Sequence, residues 1–276
     1  MPGRLPLVDW DKLINKPPTV LRNLTKFAGF ALACAESYAN DVTTGKRDGE
    51  ELRLPGALLQ LGPGIPFSAE MLEPFSAWIL GCAFRDAVEL YLKHLDDVRD
   101  ILAICSLPLP PDPNSDNWDK HVVAEGVQFH KWFLRKKLEH LKREYAFVLP
   151  EGELSAFITV TLARNCLVHR DGIVFDEDKN GPEGLHVRWR APRVNVANPN
   201  VESHVVTSPG AELKLGGSFV VEHSADHEKV FPVGRRVGFS AQELSEIGAF
   251  LSSFTNTTSF LALRWAQEKV GLFKSG

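Results

Sequence analysis

The chain has 276 residues, of which 44% are hydrophobic and 24% charged, a composition typical of soluble globular proteins. This composition excludes wholly disordered, collagen-like and low-complexity chains. The formal net charge of −4 excludes a basic surface spread over the whole chain, so any nucleic-acid contact has to be local.

The cysteines and the N-terminal segment indicate a cytoplasmic protein. Cys34, Cys82, Cys105 and Cys166 lie far apart and form no CxxC pair, which is typical of reduced thiols and not of a disulfide framework. The first residues lack the apolar core of a signal peptide, and no apolar run approaches a membrane-spanning length. We therefore expect no membrane contact.

The first two helices are predicted over Thr19–Val42 and within Ser68–Cys105, with a connection rich in glycine and proline between them. Pro74 fits the start of the main part of the second helix better than its interior. The predicted buried stripe of the first helix is Val20, Leu24, Phe27, Ala31, Ala35 and Tyr38. That of the second is Trp78, Cys82, Val88, Leu92, Leu95 and Leu102.

A third helix is predicted over Val122–Phe147 and a fourth over Leu154–Arg170, with Gly172 just past its end. The proline-rich stretch 108–117 must be a loop. The predicted buried face of the third helix is Val127, Leu134, Leu138, Leu141 and Tyr145. Its other faces are strongly basic.

Helical periodicity ends at about residue 172. Within residues 173–239, two to four short segments alternate between apolar and polar residues, which predicts strands. Ser240 and Glu243 then form a capping box that opens a final helix. We therefore predict one mainly α domain, an up-and-down bundle of about five helices. Residues 19–172 and 240–268 would form this helical core, with a small antiparallel β insert over 173–239 between the last two helices.

Two polar stretches resemble cation sites only superficially. The segment from Asp112 to Asp116 begins like a calcium loop, but it lacks the glycine and the glutamate that such a loop needs. The second stretch combines two histidines with three carboxylates, which would suit a divalent cation. A solvated turn is the simpler interpretation of this polar knot, which comprises Glu222, His223, Asp226, His227 and Glu228. We therefore expect no metal and no other cofactor.

The most informative stretch is Thr161–Gly172, at the end of the fourth helix. Asn165 and His169 are four residues apart and share a helix face, and Arg164 flanks the same face. The free carbonyls of a helix end favour a cationic imidazole, which suits acid–base work near neutral pH. Arg164 adds a planar cation suited to phosphate. Together the three side chains form a minimal set for phosphate chemistry.

Arg164-Asn165-x-x-x-His169 resembles the R-polar-x3-H signature of the HEPN superfamily, which comprises helical-bundle domains that include many metal-independent RNases. The stretch 234–254, a strand that leads into the capped last helix, is similar to the closing half of bacterial HEPN proteins. The resemblance implies that Arg164 and His169 are catalytic, with Asn165 as the polar neighbour. It also implies a homodimer with one composite cleft, and a toxin or phage-defence role in which a protein antitoxin is a possible partner.

The basic face of the third helix is a second signal. Lys131, Arg135 and Lys142 align at helical spacing and would bind an RNA backbone together with Arg170. The alternative is an ordinary solvated helix face, in which acidic residues are interspersed. Trp132 and Phe133 are interpreted as core residues.

The sequence leaves four candidate functions. The first is an endoribonuclease that uses the ribose 2′-hydroxyl, and the second is a non-catalytic HEPN module that binds RNA, nucleotide or a protein partner. The third is a metal-dependent enzyme built on the polar knot. The fourth is a scaffold in which the insert mediates assembly through residues 198–214. The first is preferred.

Overall fold

A computed structural model describes residues 16–44, 69–107, 120–191, 193–196, 219–222 and 226–270. The helices of these ranges are α1 (Lys16–Thr43), α2 (Ala69–Ser106), α3 (Lys120–His130), α4 (Leu134–Tyr145), α5 (Glu151–His169) and α6 (Ala241–Val270). The strands are β1 (Gly184–Arg190), β2 (Arg193–Val196), β3 (Phe219–Glu222) and β4 (Asp226–Pro232). The prediction of a mainly helical fold with a small β insert between the last two helices is confirmed.

The long helix α2 is the centre of the bundle, since it packs against α1, α3, α4, α5 and α6. An aromatic cluster joins it to its neighbours. The ring of Tyr91 lies 4.9 Å from that of Phe254 on α6 and 4.3 Å from that of Phe157 on α5. All three side chains are fully buried. Burying each one stabilises the fold by about 1.5–3 kcal/mol.

The prediction of one continuous third helix is wrong, because α3 ends at His130 and α4 begins at Leu134. Phe129 and Leu134 are both buried in the core. In one straight helix, residues five positions apart point about 140° away from each other. The break at Lys131–Phe133 therefore allows both side chains to reach the core.

Several predicted core side chains are instead exposed. Phe27, Trp78 and Val127 expose 73%, 63% and 52% of their surface, and Phe133 exposes 79%. The buried stripe of α1 consists of Leu21, Ala28, Leu32 and Ala35. It is therefore rotated relative to the predicted stripe, because apolar side chains occur on two adjacent faces of this helix. Trp132 packs against the core as expected.

The insert forms two antiparallel pairs, β1 with β4 and β2 with β3. Leu185, Val187 and Trp189 alternate along β1 and are buried, and β1 packs against α5 and α6. The last strand of the insert, β4, ends at Pro232, seven residues before the insert itself was predicted to end. A turn with Gly234 at φ 77° follows it, and the chain then places Val237 and Phe239 in the core.

Both predicted helix boundaries beside the insert are confirmed. At the end of α5, the amides of Arg170 and Gly172 donate to the carbonyl of Cys166, at 3.0 and 2.9 Å. Gly172 has φ 79°, the left-handed conformation that glycine adopts easily. At the start of α6, Ser240 and Glu243 exchange the two hydrogen bonds of a capping box, at 2.7 and 3.2 Å. Helix α5 begins at Glu151, three residues before the predicted start.

We find no membrane-spanning candidate among the helices of the described ranges, since each is too short or too polar.

Candidate functional site

An open groove of about 890 Å³ runs along one face of α2. The lining residues from the C-terminal half of α5 are Thr161, Leu162, Arg164, Asn165 and His169. The segment after α5 contributes Arg170, Glu177 and Asp178. The corner between α3 and α4 contributes His130–Leu134, and α1 contributes Val20 and Leu24. The groove is therefore assembled from five helices, α1 to α5, and from parts of the chain that are distant in sequence.

Five of the seven predicted site residues line this groove: Arg164, Asn165, His169, Arg170 and Lys131. Arg135 and Lys142 lie outside it, on the exposed surface of α4. The side chain of Arg135 pairs there with Glu139 at 3.0 Å, one helical turn further on. The break between α3 and α4 separates Lys131 from these two residues, so the predicted continuous basic face does not form.

Arg164 is held by acceptors on both sides. Its guanidinium forms an ion pair with Glu89 of α2 and donates to the Oδ1 atom of Asn165 at 3.1 Å. The side chain is 18% exposed, and its buried Nε atom has no hydrogen-bond partner. Burial, and to a lesser extent the nearby Arg85 charge, lower the pKa of Arg164. The amide oxygen of Asn165, the polar neighbour of the motif, is therefore engaged by Arg164.

His169 is the last residue of α5 and is exposed in the groove. No hydrogen bond or ion pair joins its ring to another residue in the part of the chain that the structure describes. The imidazole is therefore free to contact a ligand, and the helix end places unpaired carbonyls beside it.

Arg170 lines the groove, but its guanidinium is already engaged. It binds the buried carboxylate of Asp178, and its Nε atom lies 3.7 Å from Glu177. Asp178 also accepts a hydrogen bond from the amide of Phe175 at 2.9 Å. These contacts attach the segment after α5 to the helix end. The positive charge of Arg170 is therefore neutralised by acidic neighbours, and its contribution to the site is structural.

Sequence reasoning missed the acidic and basic residues that α2 presents to the groove. Asp86, Glu89, Lys93 and Asp96 line it and follow one another at steps of three or four residues. That spacing is typical of a single helix face and was the available signal.

The corner between α3 and α4 holds a second missed cluster. The Nδ1 atom of His130 lies 2.7 Å from the Oδ2 atom of Asp96, and the buried Lys137 pairs with the other oxygen of the same carboxylate. Because an ionised carboxylate only accepts hydrogen bonds, Nδ1 carries the proton and the Nε2 atom of His130 is left for other contacts. Nothing local in the sequence joins these three residues.

Three members of the polar knot, Asp226, His227 and Glu228, make contacts within the β1–β4 pair. Asp226 pairs with Arg190 at 2.9 Å, while Glu228 binds both Arg188 and His186. Hydrogen bonds, first from Arg188 and then from His186, lower the pKa of Glu228. His227 points to the other face of β4 and stacks on Trp189.

No group of three or more possible metal ligands occurs within the described residues. His223, the loop from Asp112 to Asp116 and residues 198–214 lie outside them.

Comparison of the chain with protein-family models, curated proteins and solved structures gave no match. The resemblance to HEPN proteins therefore rests on Arg164, Asn165, His169 and their place at a helix end, and the family assignment stays a prediction.

Proposed function

We propose that this protein is an endoribonuclease of the HEPN type, which cleaves RNA through the ribose 2′-hydroxyl without a metal ion. One observation carries the proposal: Arg164, Asn165 and His169 line the same open groove at the end of α5. A surface-exposed imidazole without a partner among the described residues, in the same groove as a guanidinium, is a suitable arrangement for phosphodiester chemistry.

In the proposed reaction, the 2′-oxygen attacks the adjacent phosphorus and the bond from phosphorus to the 5′-oxygen breaks. The products are a 2′,3′-cyclic phosphate and a free 5′-hydroxyl. His169 moves a proton between these oxygens, and Arg164 stabilises the negative charge that develops on the phosphate. The protein would act in the cytoplasm.

One chain supplies one motif imidazole, whereas the reaction needs a base for the attacking oxygen and an acid for the leaving oxygen. A homodimer that brings two α5 ends together would supply both. Light scattering is then expected to give twice the 30.7 kDa mass of the chain.

The test is cleavage of labelled single-stranded RNA in the presence of EDTA. Removal of an acid–base group or of a charge-stabilising group each costs about 100-fold or more. We therefore expect His169→Ala and Arg164→Ala to lose most of the activity, and the products to carry 2′,3′-cyclic phosphate ends.

Arg135→Ala is the matched control, because it removes an arginine that lies outside the groove. Wild-type protein that leaves a varied set of RNAs intact would refute the proposal, and so would equal cleavage by the wild type and the His169→Ala variant.

A second candidate is a non-catalytic module that binds RNA, nucleotide or a protein partner. The contacts of Arg164 favour it, since Glu89 and Asn165 already occupy the guanidinium that would have to bind the phosphate. In that case the wild-type protein would bind RNA in the groove without cutting it. The toxin or phage-defence setting that the resemblance implies, with a protein antitoxin, stays a prediction.

A further inference from the structure

The groove has two ends along α2: a motif end at Arg164 and a corner end at His130. Glu89 holds Arg164 at one end, and Asp96 holds His130 at the other. These two carboxylates are seven residues apart on α2, which corresponds to two helical turns, or about 10 Å of rise. A single phosphate group is too small to span this distance. A ligand that contacts both ends must therefore be larger than one phosphate group.

The positive charge that remains free lies away from the motif. At the motif end, Arg164 is paired with Glu89, Arg170 with Asp178, and Asp86 with Arg85. Each cation there has an acidic neighbour.

At the other end, Asp96 is paired with Lys137. Lys131 at this end, and Lys93 one turn before Asp96 on α2, have no ion-pair partner among the described residues. Both lysines are exposed and line the groove, so their charges are available to attract an anion.

An exposed aromatic ring lines the same groove as these lysines. Phe133 lines the groove and exposes 79% of its surface, directly after Lys131 and Trp132. Its backbone is extended, with φ −69° and ψ 158°, because it is the residue that precedes the first turn of α4. Trp132 packs against the core beneath it. This arrangement holds Phe133 on a rigid corner, available for a flat partner.

We propose that the corner between α3 and α4 is a second subsite of the groove, in which Lys93 and Lys131 bind a phosphate and Phe133 stacks on the base of a neighbouring nucleotide. Positive side chains next to an exposed aromatic ring are the usual means of binding single-stranded nucleic acid. The inference rests on the proposed function for the identity of the ligand as RNA. It deepens that function by making the substrate an unpaired strand that extends along α2, since the bases of a duplex are already stacked on each other.

The test measures binding, so it does not depend on cleavage. The probe is fluorescein-labelled hexauridylate with 2′-O-methyl riboses, which has no free 2′-hydroxyl, and the readout is fluorescence anisotropy with the full chain. Phe133→Ser is expected to weaken binding about 5-fold or more, because it removes one stacked base, while Phe133→Trp keeps the affinity. Lys131→Gln is expected to reduce the slope of log K against log salt by about 0.7.

Two control variants carry the same changes outside the groove. Phe260→Ser removes an exposed phenylalanine of α6, and Lys269→Gln removes an exposed lysine of the same helix. Neither is expected to change the affinity. A matching loss in Phe260→Ser would overturn the subsite, as would wild-type affinity in Phe133→Ser or an absence of binding by the wild-type protein.

A second measurement identifies the stacked base. Trinucleotides of the same chemistry, each with one abasic position, are compared in wild type and Phe133→Ser. One abasic position is expected to abolish the difference between the two proteins, and a difference that persists at every position contradicts stacking. Binding through Phe133 without cleavage supports the subsite and refutes the ribonuclease. If the wild-type protein cleaves RNA but Phe133→Ser leaves its RNA affinity unchanged, the ribonuclease is supported and the subsite is refuted.

Discussion

The Glu89 carboxylate determines how much of the Arg164 charge reaches the groove. The Arg164 side chain is 18% exposed, whereas that of Glu89 is 44% exposed. A ligand phosphate therefore has to compete with a carboxylate that is already in contact with the guanidinium. Glu89 lowers the affinity of the motif end for anions, while it compensates a charge that burial would otherwise destabilise.

We expect Glu89→Gln to bind the 2′-O-methyl hexauridylate several-fold more tightly than wild type. The glutamine still accepts a hydrogen bond from Arg164 but carries no negative charge, so both the competition and the repulsion of phosphate are removed. Anisotropy titrations at two salt concentrations measure the change. Glu268→Gln, which removes the partner of Arg264 on α6 outside the groove, is the control. Unchanged or weaker binding by Glu89→Gln would contradict this interpretation.

The sequence allowed a prediction of the motif residues but not of their partners. Asn165 and His169 are one helical turn apart and Arg164 directly precedes Asn165, so the sequence alone places all three near the same helix end. Glu89 and Asp96 lie on a different helix, and only the packing of α2 against α5 and against the α3–α4 corner brings them into the site. Single-sequence periodicity contains no information on which helices are neighbours.

At the level of elements, the end of α5 determines where His169 lies. Gly172 is buried and has φ 79°, and a Cβ atom at this position would lie 3.2 Å from a side-chain carbon of Leu167 and 3.3 Å from one of Arg236. Its amide also satisfies the carbonyl of Cys166 at the helix end. A correct end of this helix therefore depends on the absence of a side chain at Gly172.

We expect Gly172→Ala to lower the free energy of unfolding by about 1–2 kcal/mol, because an L residue is strained in the left-handed region and the two neighbours must shift. Chemical denaturation measures the difference. Gly29→Ala on α1 is the matched control, since a Cβ atom there has no neighbour within 4 Å. It is expected to stabilise the protein by about 0.5–1 kcal/mol. Equal stabilities of the wild type and Gly172→Ala would show that the helix end tolerates a side chain.

The elements also show where periodicity fails. The capping box at Ser240 and the glycine after α5 are local signals, and both predicted the helix boundary correctly. The break between α3 and α4 has no such signal, since no glycine or proline occurs in Lys131-Trp132-Phe133. It arises because Phe129 and Leu134 are both buried, which is a property of the packed bundle.

For the whole molecule, the interface between α2 and α6 makes stability depend on pH. His94 is 1% exposed, and its Nε2 atom lies 3.3 Å from the hydroxyl oxygen of Ser259 on α6. Burial lowers the pKa of His94 to about 4, from an ordinary value near 6.5. The folded protein therefore keeps this imidazole neutral over a range in which the unfolded chain protonates it.

We expect the free energy of unfolding to fall by about 2 kcal/mol between pH 7 and pH 5 through His94 alone. The full contribution of the neutral histidine is present above pH 6.5, and it is lost as the pH falls toward 4, because the unfolded state binds the proton first. Urea denaturation at a series of pH values measures it. His94→Gln should flatten this dependence relative to wild type, and parallel curves for the two proteins would contradict the assignment.

The fold class was accessible from the sequence because helical periodicity, capping residues and short alternating segments are local. The groove was not, because its lining comes from five helices whose arrangement no local pattern encodes. Helix α2 illustrates both points. Its length could be predicted from the sequence, but its packing against the other five helices and its place along the groove could not.

The uninterrupted course of α2 from Asp86 to Asp96 has a consequence for how this chain tolerates changes of length. Each residue inserted in an α-helix turns everything beyond it by about 100° and advances it by about 1.5 Å. An insertion of one residue after Leu90 would therefore aim Asp96 away from His130, although every side chain named in the groove would still be present. This stretch of helix therefore has to keep its residue count for the two ends of the groove to stay on the same face.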